Sequence, residues 1–546
     1  MTRRKFIQAT TVAVGAAAFP FESLLAQATP ISRAKYTRYN VTSPEGQRAL
    51  ASYAKGVQAM LNLPADHPQN WFRNAFVHLM DCPHGNWWFY VWHRGYIGFL
   101  EETIRNLSGD MDFALPYWDW TELPQIPDPM FDGPLNPRNM PFERYTGNLS
   151  DFTNFIQAPL QTYWNGLTAA QLAQLNVRGY PTFDDFWYSV NGYDPASQNA
   201  FAGNIAYATT CAARYLTRAN PKFDAATAYD VSRHVVRSGI KPKDFYNANI
   251  ALSFTSSKTP SHNTQPSAST NFSILEGMPH NQVHNYIGGV GPLDPGPYGN
   301  MTNFLSPVDP IFFLHHANMD RLWDVWTRKQ KRLGLPYLPS GADLKTLAEE
   351  PFLFFVNGKG DYVGTSHAGD YFSTDRFDYQ YAPSTDDQTS GGYAAPAAKQ
   401  TAMAVKAEMK GNVATLSIPR EAVMAHLAGD EPSLIAEVRI QRPSPTSLTR
   451  SFDVMIGAPA SMTEADPSSP FFAGRIAFFG SMRHAIGGGH DMEMPEEATF
   501  AVPLPMQRAA FQNLDAANVA ISVRVVPAHK LGKATPVKSV TVRSVQ

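Results

Sequence analysis

The chain has 546 residues, of which 44% are hydrophobic and 17% charged, and its formal net charge is −2. This length allows two or more hydrophobic cores, and the near-neutral charge gives no electrostatic reason to expect a nucleic-acid partner. Two cysteines, Cys82 and Cys211, are too few for a disulfide framework. No apolar run reaches the ~18 residues that would predict a membrane span.

The first 28 residues have the composition of an export signal. Arg3-Arg4 precede Lys5-Phe6-Ile7, and an uncharged stretch rich in Ala, Val and Thr follows. Ala26-Gln27-Ala28 offers small residues for cleavage after Ala28. The segment 1–28 resembles a twin-arginine signal peptide rather than a merely basic tail. We therefore expect a periplasmic or secreted protein that is exported folded.

Helical and irregular segments alternate over the next 350 or so residues. The polar segment 255–270 predicts a surface loop, and Pro-rich segments such as 123–141 predict further loops. Six stretches have the composition or the apolar spacing of helices: 45–62, 69–80, 168–176, 226–237, 277–287 and 311–330.

The pattern changes after residue 402. The segment 384–402 contains Gly391-Gly392 with scattered Ala and Pro, a composition typical of a linker. Segments beyond it alternate apolar and polar residues with period two, as half-buried strands do: 413–418, 435–440 and 519–525. We predict a mainly α domain with long loops over 31–383 and a separate all-β sandwich or barrel over 403–546.

The fifteen histidines are unevenly distributed, with four between residues 67 and 93 and four between 280 and 316. His280 and His284 are four residues apart, so on a helix both rings project from one face. His84 and His93 are nine apart and would point to opposite faces of a single helix. His84 must therefore lie off the helix to share a metal with His93, and Cys82-Pro83-His84-Gly85 has the composition of a loop.

The remaining members of the two clusters are His78 and one of the pair His315-His316. We expect His78 to end one helix and His93 to open the next, over 94–106. Asp320 lies one turn after His316, where it could orient the structure around that ligand. Three neutral imidazoles per cluster, with no thiolate or carboxylate, suit copper or zinc. An aromatic surrounding favours redox chemistry in a dry pocket: Trp87, Trp88, Phe89, Trp92, Phe312 and Phe313.

These segments resemble the two copper motifs of the tyrosinases and plant polyphenol oxidases. The first motif is His78-Leu-Met-Asp-Cys-Pro-His with Phe89-Tyr-Val-Trp-His-Arg, and the second is Pro279-His-Asn-Gln-Val-His-Asn with Asp309-Pro-Ile-Phe-Phe-Leu-His-His-Ala-Asn-Met-Asp. Further similar segments are Leu63-Pro-Ala-Asp-His-Pro, Pro116-Tyr-Trp-Asp-Trp and Tyr379-Gln-Tyr, so the resemblance covers about 35–383. It implies a helical-bundle core with two copper ions, one held by His78, His84 and His93 and the other by His280, His284 and His316.

The resemblance also resolves two choices that spacing leaves open. His67 is an alternative first ligand, but His78 keeps the His-x-x-x-Cys spacing of the plant enzymes. The family pattern selects His316 over His315. Cys82 stands two residues before His84, the spacing at which many relatives carry a thioether crosslink, and we expect one here; a small buried thiol is the alternative. Cys211 is expected to be a core residue.

Several residues around the histidines are expected to set the activity. Family enzymes often pair a glutamate and an asparagine around an ordered water, and Glu276 and Asn281 occupy these positions. Such a carboxylate could accept the proton of a monophenol; a solvated Glu276 is the alternative. Phe304 or Leu305 lies near the position of the substrate gate in plant relatives.

The C-terminal domain is similar to the one that shields the site in latent plant enzymes, and a side chain from it is expected in the substrate pocket. A cluster near its end could bind copper during loading, although a turn is the simpler interpretation: His484, His490, Met492 and Met494.

The resemblance implies oxidation of o-diphenols to o-quinones by dioxygen, with o-hydroxylation of monophenols. The alternatives are an o-aminophenol oxidase and a dioxygen carrier of the haemocyanin type. An export signal and a single copper unit favour the enzyme, because carriers of that type are large multi-unit arrays. The expected partners are small phenols and dioxygen, and the sequence does not predict an oligomeric state.

Overall fold

The structure is a computed structural model, and it describes most of the chain. The described ranges are 34–191, 193–194, 199–200, 214–289, 299–384, 403–443, 449–480 and 495–545. The predicted signal peptide 1–28, almost all of the predicted linker 384–402, Cys211 and the His484–Met494 cluster lie outside them.

The N-terminal part is mainly helical, as predicted. Its helices are α1 (Pro44–Asn62), α2 (Trp71–Asp81), α3 (Phe89–Ser108), α4 (Met140–Thr146), α5 (Leu149–Asn165), α6 (Ala169–Val177), α7 (Phe183–Asn191), α8 (Ala225–Asp230), α9 (Arg233–Ile240), α10 (Asn281–Gly288), α11 (Ile311–Arg332) and α12 (Gly341–Glu349). Local signals explain several of the ends. Ser43 caps α1 through the amide of Gly46, and Asn70 caps α2. Gly109 ends α3 with a φ of 75°.

Helix boundaries depart from the predictions in two places. The segment 226–237 forms two helices rather than one, because Ser232 is extended and starts α9. Helix α3 begins at Phe89 rather than after His93, so His93 lies one turn inside it. Residues 89–92 are all buried, which removes the polar face that would mark the start of an amphipathic helix.

The prediction of a surface loop over 255–270 is right for the irregular backbone up to residue 268 but wrong for the exposure of several of its residues. Thr255, Ser256 and His262 are all buried. Their polar groups find distant partners: Thr255 donates to the carbonyl of Phe245, and the His262 ring lies between Asp81 and Glu350. A polar segment can be buried when its groups are hydrogen-bonded, but the partners are not visible in the segment itself.

The described residues of the C-terminal part form strands, one α-helix, α13 (Arg420–Ala428), and a short 3-10 turn, Arg508–Ala510. Its strands are β6 (Ala404–Lys406), β7 (Glu408–Lys410), β8 (Val413–Pro419), β9 (Leu434–Gln441), β10 (Ser451–Ile456), β11 (Phe472–Ala477), β12 (Glu497–Pro503), β13 (Asn518–Pro527) and β14 (Val537–Ser544). They form two sheets over a shared hydrophobic cluster, which confirms the predicted β domain.

One strand of the β part comes from the helical part. The strand orders are β11-β10-β13-β8-β7 in one sheet and β4-β12-β9-β14-β6 in the other, where β4 is Ser269–Phe272. Strand β4 pairs in parallel with β12, from Ser269 opposite Glu497 to Phe272 opposite Phe500. One strand of the second sheet therefore precedes the predicted domain boundary at residue 403.

The two remaining strand pairs are short. Strand β1 (Tyr36–Arg38) pairs in parallel with β5 (Tyr379–Tyr381), which brings the two ends of the helical part together. Strands β2 (Tyr193–Asp194) and β3 (Asn199–Ala200) form a hairpin. No helix among the described residues is both long and apolar enough to cross a membrane.

Candidate metal centre

The six predicted histidines converge from four helices and one loop. His78 lies in the last turn of α2, His93 in α3, His284 in α10 and His316 in α11; His84 lies on the loop after α2, and His280 ends the turn before α10. Five are buried and His84 is half-buried. Rings from the two clusters meet, because His93 stacks on His316 at a centroid distance of 4.2 Å.

Backbone carbonyls fix the tautomer of three of these rings. Each ring places its Nδ1 2.7 Å from a carbonyl oxygen: His78 from that of Phe304, His93 from that of Phe89 and His284 from that of Met301. A carbonyl can only accept, so Nδ1 carries the hydrogen and Nε2 presents a lone pair. Orientation through Nδ1 with Nε2 free is the arrangement of a metal-ligating histidine.

The Nε2 atoms lie in pairs at the spacing of metal ligands. The Nε2 atoms of His78 and His93 are 3.4 Å apart, and those of His284 and His316 are 3.2 Å apart. Two nitrogens about 2.0–2.1 Å from one ion at a tetrahedral angle would be about 3.3 Å apart. In the His78–His93 couple both nitrogens present lone pairs, which repel unless a cation lies between them. The His284–His316 couple has the same spacing, so the residues present fit two metal ions.

His84 and His280 each offer a further nitrogen. Within the described part of the chain, the buried Nε2 of neither ring has a hydrogen-bond partner. Burial lowers the pKa of both His78 and His280 to about 3, so these rings are neutral and able to coordinate at ordinary pH.

Hydrogen bonding separates His315 from His316. The indole Nε1–H of Trp120 donates to Nδ1 of His315 at 3.0 Å, which leaves the hydrogen of that neutral ring on Nε2. His315 stands close to His280 and His284, but its Nδ1 lone pair is already used by Trp120. His67 lies elsewhere, with its Nδ1 accepting from the amide of Gln69.

Cys82 is close to His84. Its Sγ lies 3.4 Å from Nδ1 of His84, and Arg178 approaches the sulfur at 3.8 Å. Burial raises the pKa of the Cys82 thiol to about 12. The loop therefore places the sulfur in contact with the imidazole ring of His84.

Glu276 is buried rather than solvated. It begins a π-helical turn, Glu276–His280, which forms because Pro279 has no N–H to continue an α-helical ladder. One carboxylate oxygen accepts from the amide of Gly85 at 2.5 Å, and the other accepts from Ser256. Burial raises the pKa of Glu276 to about 7.

Asn281 bonds to His280 and to the β domain. Nδ1 of His280 donates to Oδ1 of Asn281 at 2.8 Å, and Nδ2 of Asn281 donates to the carbonyl of Ala477 at 2.7 Å. None of the described hydrogen bonds joins the Asn281 side chain to Glu276. The end of β11 therefore holds the asparagine that was predicted to hold a water.

Phe479 enters the histidine cluster directly after β11. Its ring centroid lies 4.1 Å from that of His284, 4.9 Å from that of His84 and 5.6 Å from that of His280. It therefore contacts rings from both clusters. The sequence does not identify this residue, because Phe478-Phe479 follows a strand and alternation alone does not say which ring faces the helical part.

Hydrogen bonds hold the backbone on both sides of Phe479, one from the helical part and one from within the β part. Asn285 donates to the carbonyl of Phe478 at 2.9 Å, and Arg450 donates to the carbonyl of Gly480 at 2.8 Å. Gly480 has a φ of 84°, and a Cβ there would come within 2.5 Å of the Phe304 ring. The turn after Phe479 thus requires glycine for both conformation and space.

Phe304 and Leu305 occupy different environments. The Phe304 ring lies 5.3 Å from His84 and 5.5 Å from Phe479, so it borders the space that Phe479 fills. Leu305 is buried in the hydrophobic core.

Asp320 bonds to side chains of neighbouring elements and to none of the histidines. It accepts from Arg94 at 2.6 Å, Arg38 at 3.1 Å and Tyr381 at 2.6 Å, and also from Tyr379. Burial opposes its ionisation, but the two arginines and the tyrosine hydroxyls lower the pKa of Asp320 overall. The carboxylate ties α11 to α3 beside His93 and to the closing strand pair β1–β5.

The histidine arrangement can now be compared with known proteins. The model of the common central domain of tyrosinase matches residues 55–329, about half of the chain. The chain belongs to the tyrosinase family. The cofactor of this tyrosinase-family protein is accordingly a pair of copper ions.

Relatives and solved structures agree with this family. The protein is 27% identical to the chloroplastic polyphenol oxidase of Vitis vinifera over 352 residues, covering 61% of this chain and 45% of that one. It is 24% identical to haemocyanin units G and H of Sepia officinalis over 291 residues, covering 53% of this chain and 35% of that one. The chain thus spans less than half the length of these curated relatives.

The fold extends over nearly the whole chain. A latent aurone synthase (polyphenol oxidase) structure matches with a TM-score of 0.53 and 18% identity, covering 94% of this chain and 90% of that one. This likeness shows a shared fold that includes the C-terminal part.

Proposed function

We propose that this protein is a type-3 copper phenol oxidase that oxidises o-diphenols to o-quinones with dioxygen. The observation that carries the proposal is the pair of facing Nε2 couples, His78 with His93 and His284 with His316. His84 completes one copper site and His280 the other. The copper pair, when bound, supplies the reduction of dioxygen by electrons from the phenol.

The surrounding residues supply a dry, aromatic binding space. Phe304, Phe89 and the histidine rings form walls against which a phenol ring can stack. The overall reaction balances: two diphenols and one dioxygen give two quinones and two waters, with the phenolic protons passing to the reduced oxygen.

Oxygen uptake by the copper-loaded protein tests this proposal and its alternatives. We expect uptake with catechol and with tyrosine in protein whose pocket has been opened by replacing Phe479. Uptake with o-aminophenol alone would instead indicate an o-aminophenol oxidase. Reversible dioxygen binding without consumption of any phenol would indicate a carrier and would contradict the enzymatic proposal.

We further propose that the C-terminal part keeps the enzyme latent through Phe479. The ring lies against three proposed copper ligands, in the space that a substrate ring would need. Phe304 forms the adjoining gate. Cleavage within 384–402 would leave the β4–β12 pairing intact, so removal of Phe479 from the pocket needs more than a cut in that segment.

Glu276 is the proposed base for monophenol hydroxylation, acting through a water held together with Asn281. A carboxyl with a pKa of about 7 can exchange a proton near neutral pH. The water-holding arrangement needs the Asn281 amide, which Ala477 occupies while β11 is docked. Docking of the β part therefore suppresses hydroxylation in a second way, besides filling the pocket.

Replacing Glu276 by Gln in the Phe479→Ala background should lower tyrosine hydroxylation by about 100-fold, the usual contribution of a general base. Catechol oxidation should fall far less. Initial rates with both substrates measure the difference. Asp230→Asn is the control, because Asp230 is a buried carboxyl with a raised pKa that lies outside the histidine cluster. Equal losses with the two substrates would remove the proposed role.

A thioether between Cys82 and His84 is proposed on the sulfur-to-ring distance of 3.4 Å. Mass spectrometry of the peptide carrying both residues from copper-loaded protein should show a loss of two hydrogens. The Cys82→Ser protein should lack this loss and keep both coppers. A full-mass peptide that reacts with iodoacetamide would contradict the crosslink.

Export through a twin-arginine route is proposed on Arg3-Arg4 and the following uncharged stretch. Replacing both arginines by lysine should leave the protein in the cytoplasm, and N-terminal sequencing of exported protein should begin at Thr29.

A further inference from the structure

A cleft on the helical part, away from the histidine cluster, contains an arginine without an acidic partner. The cleft has a volume of about 690 Å³ and lies between α2, the α5–α6 connection and the segment around Tyr362. Its walls include Arg73, Tyr163, Leu167, Gln171, Leu353 and Tyr362.

Arg73 is unusual among the buried arginines of the described chain. Only 4% of its surface is exposed. Six other buried arginines form ion pairs with carboxylates: Arg38, Arg94, Arg105, Arg214, Arg321 and Arg475. Arg178 and Arg450 donate to backbone carbonyls instead.

Arg73 has neither kind of partner. The one described hydrogen bond of its guanidinium is a long one of 3.4 Å to the Tyr362 hydroxyl, and its buried Nε has no partner among the described residues. Burial lowers the pKa of Arg73, which reflects the cost of holding this charge away from water. Burying an unpaired charge lowers the stability of the folded protein, so its presence beside a cavity points to an anion that binds there.

The cleft around Arg73 is aromatic and apolar rather than polar. The guanidinium lies 4.1 Å above the Tyr163 ring, and Tyr163 stacks with Tyr362 at 5.6 Å. Leu167 and Leu353 add aliphatic surface. A flat apolar body with a single carboxylate matches this lining, because a guanidinium binds a carboxylate through two parallel hydrogen bonds.

We propose that this cleft binds a small aromatic carboxylate, with the carboxylate on Arg73 and the ring against Tyr163 and Tyr362. Asp66 stands exposed among the lining residues and weakens the attraction for an anion. The site is separate from the copper centre, and its existence does not depend on the proposed oxidase activity.

Calorimetric titration of the full copper-loaded chain with benzoate tests the proposal. Arg73→Met should weaken benzoate binding by at least about tenfold, the value of a charge-assisted hydrogen bond. Asp66→Asn should strengthen it. Arg218→Met is the matched control, because Arg218 is an exposed arginine that pairs with Asp128 and Asp132, and it should leave the affinity unchanged. Benzamide and inorganic phosphate should each bind more weakly than benzoate.

A measurement of unfolding separates a binding role from a structural one. Arg73→Met should unfold at the same temperature as the parent or a higher one, because it removes an unpaired buried charge. A lower unfolding temperature would make Arg73 a packing residue and would overturn the proposal. Benzoate binding that survives in Arg73→Met would place the ligand elsewhere, at the copper pair for example, and phosphate binding as tight as benzoate would refute the aromatic part. Both would overturn the proposal.

Discussion

Replacing Phe479 by Ala should raise the rate of catechol oxidation by the intact chain by roughly 10- to 100-fold. The ring contacts three of the proposed copper ligands. Burying a phenylalanine side chain is worth about 1.5–3 kcal/mol, and each 1.4 kcal/mol corresponds to about tenfold in occupancy of the pocket. The rate of oxygen uptake at low catechol concentration measures the effect.

Phe471→Ala is the control for this substitution. Phe471 precedes β11 and packs on the β cluster without a described ring contact to the histidines. It should change stability but not the rate. A Phe479→Ala protein that keeps two coppers and oxidises catechol no faster than the parent would contradict the latency proposal. Parent protein cut within 384–402 should remain slow, because β4, Asn281 and Asn285 still hold the β part in place.

Replacing His316 by Asn should reduce the copper content from two ions to one per chain and lower catechol oxidation by more than about 100-fold. Replacing a residue that only supports a metal ligand lowers metal affinity or activity by about 10–100-fold. His316 supplies one of the facing nitrogens itself, so its loss should cost more. The test combines metal analysis with oxygen uptake, both in the Phe479→Ala background.

His315→Asn is the matched comparison, one residue away in the same helix. Trp120 already uses the Nδ1 lone pair of His315, so this ring should not bind copper. The His315→Asn protein should keep two coppers. If His315→Asn lost a copper and His316→Asn did not, the assignment of the third ligand would be reversed.

The histidine set could be predicted because spacing within helices is local. His280 and His284 are four residues apart, so a continuous helical backbone places both rings on one side, and the π-helical turn that leads into α10 keeps them together. Pro83 and Gly85 take His84 off the neighbouring helix. The choice of His316 came from the resemblance, since spacing alone does not distinguish it from His315. The structural distinction lies in Trp120, which is distant in sequence.

Features that depend on distant contacts were not predictable. Ser256 and His262 looked like solvated residues because their partners, Glu276, Asp81 and Glu350, are far along the chain. The same holds for Phe479. A strand end reveals alternation, but only the docking of β11 against α10 shows which ring enters the pocket.

Strand β4 also affects how the molecule must assemble. Ser269 pairs with Glu497, so a strand made halfway through synthesis cannot pair until one near the end of the chain has been made. Contacts so distant in sequence slow folding, because a long loop must close before they form. Immediately after β4 comes the turn that carries Glu276 and His280. The strand before this turn therefore gains its partner only after almost the entire polypeptide has been made. The histidine cluster can reach its final geometry only when the chain is nearly complete.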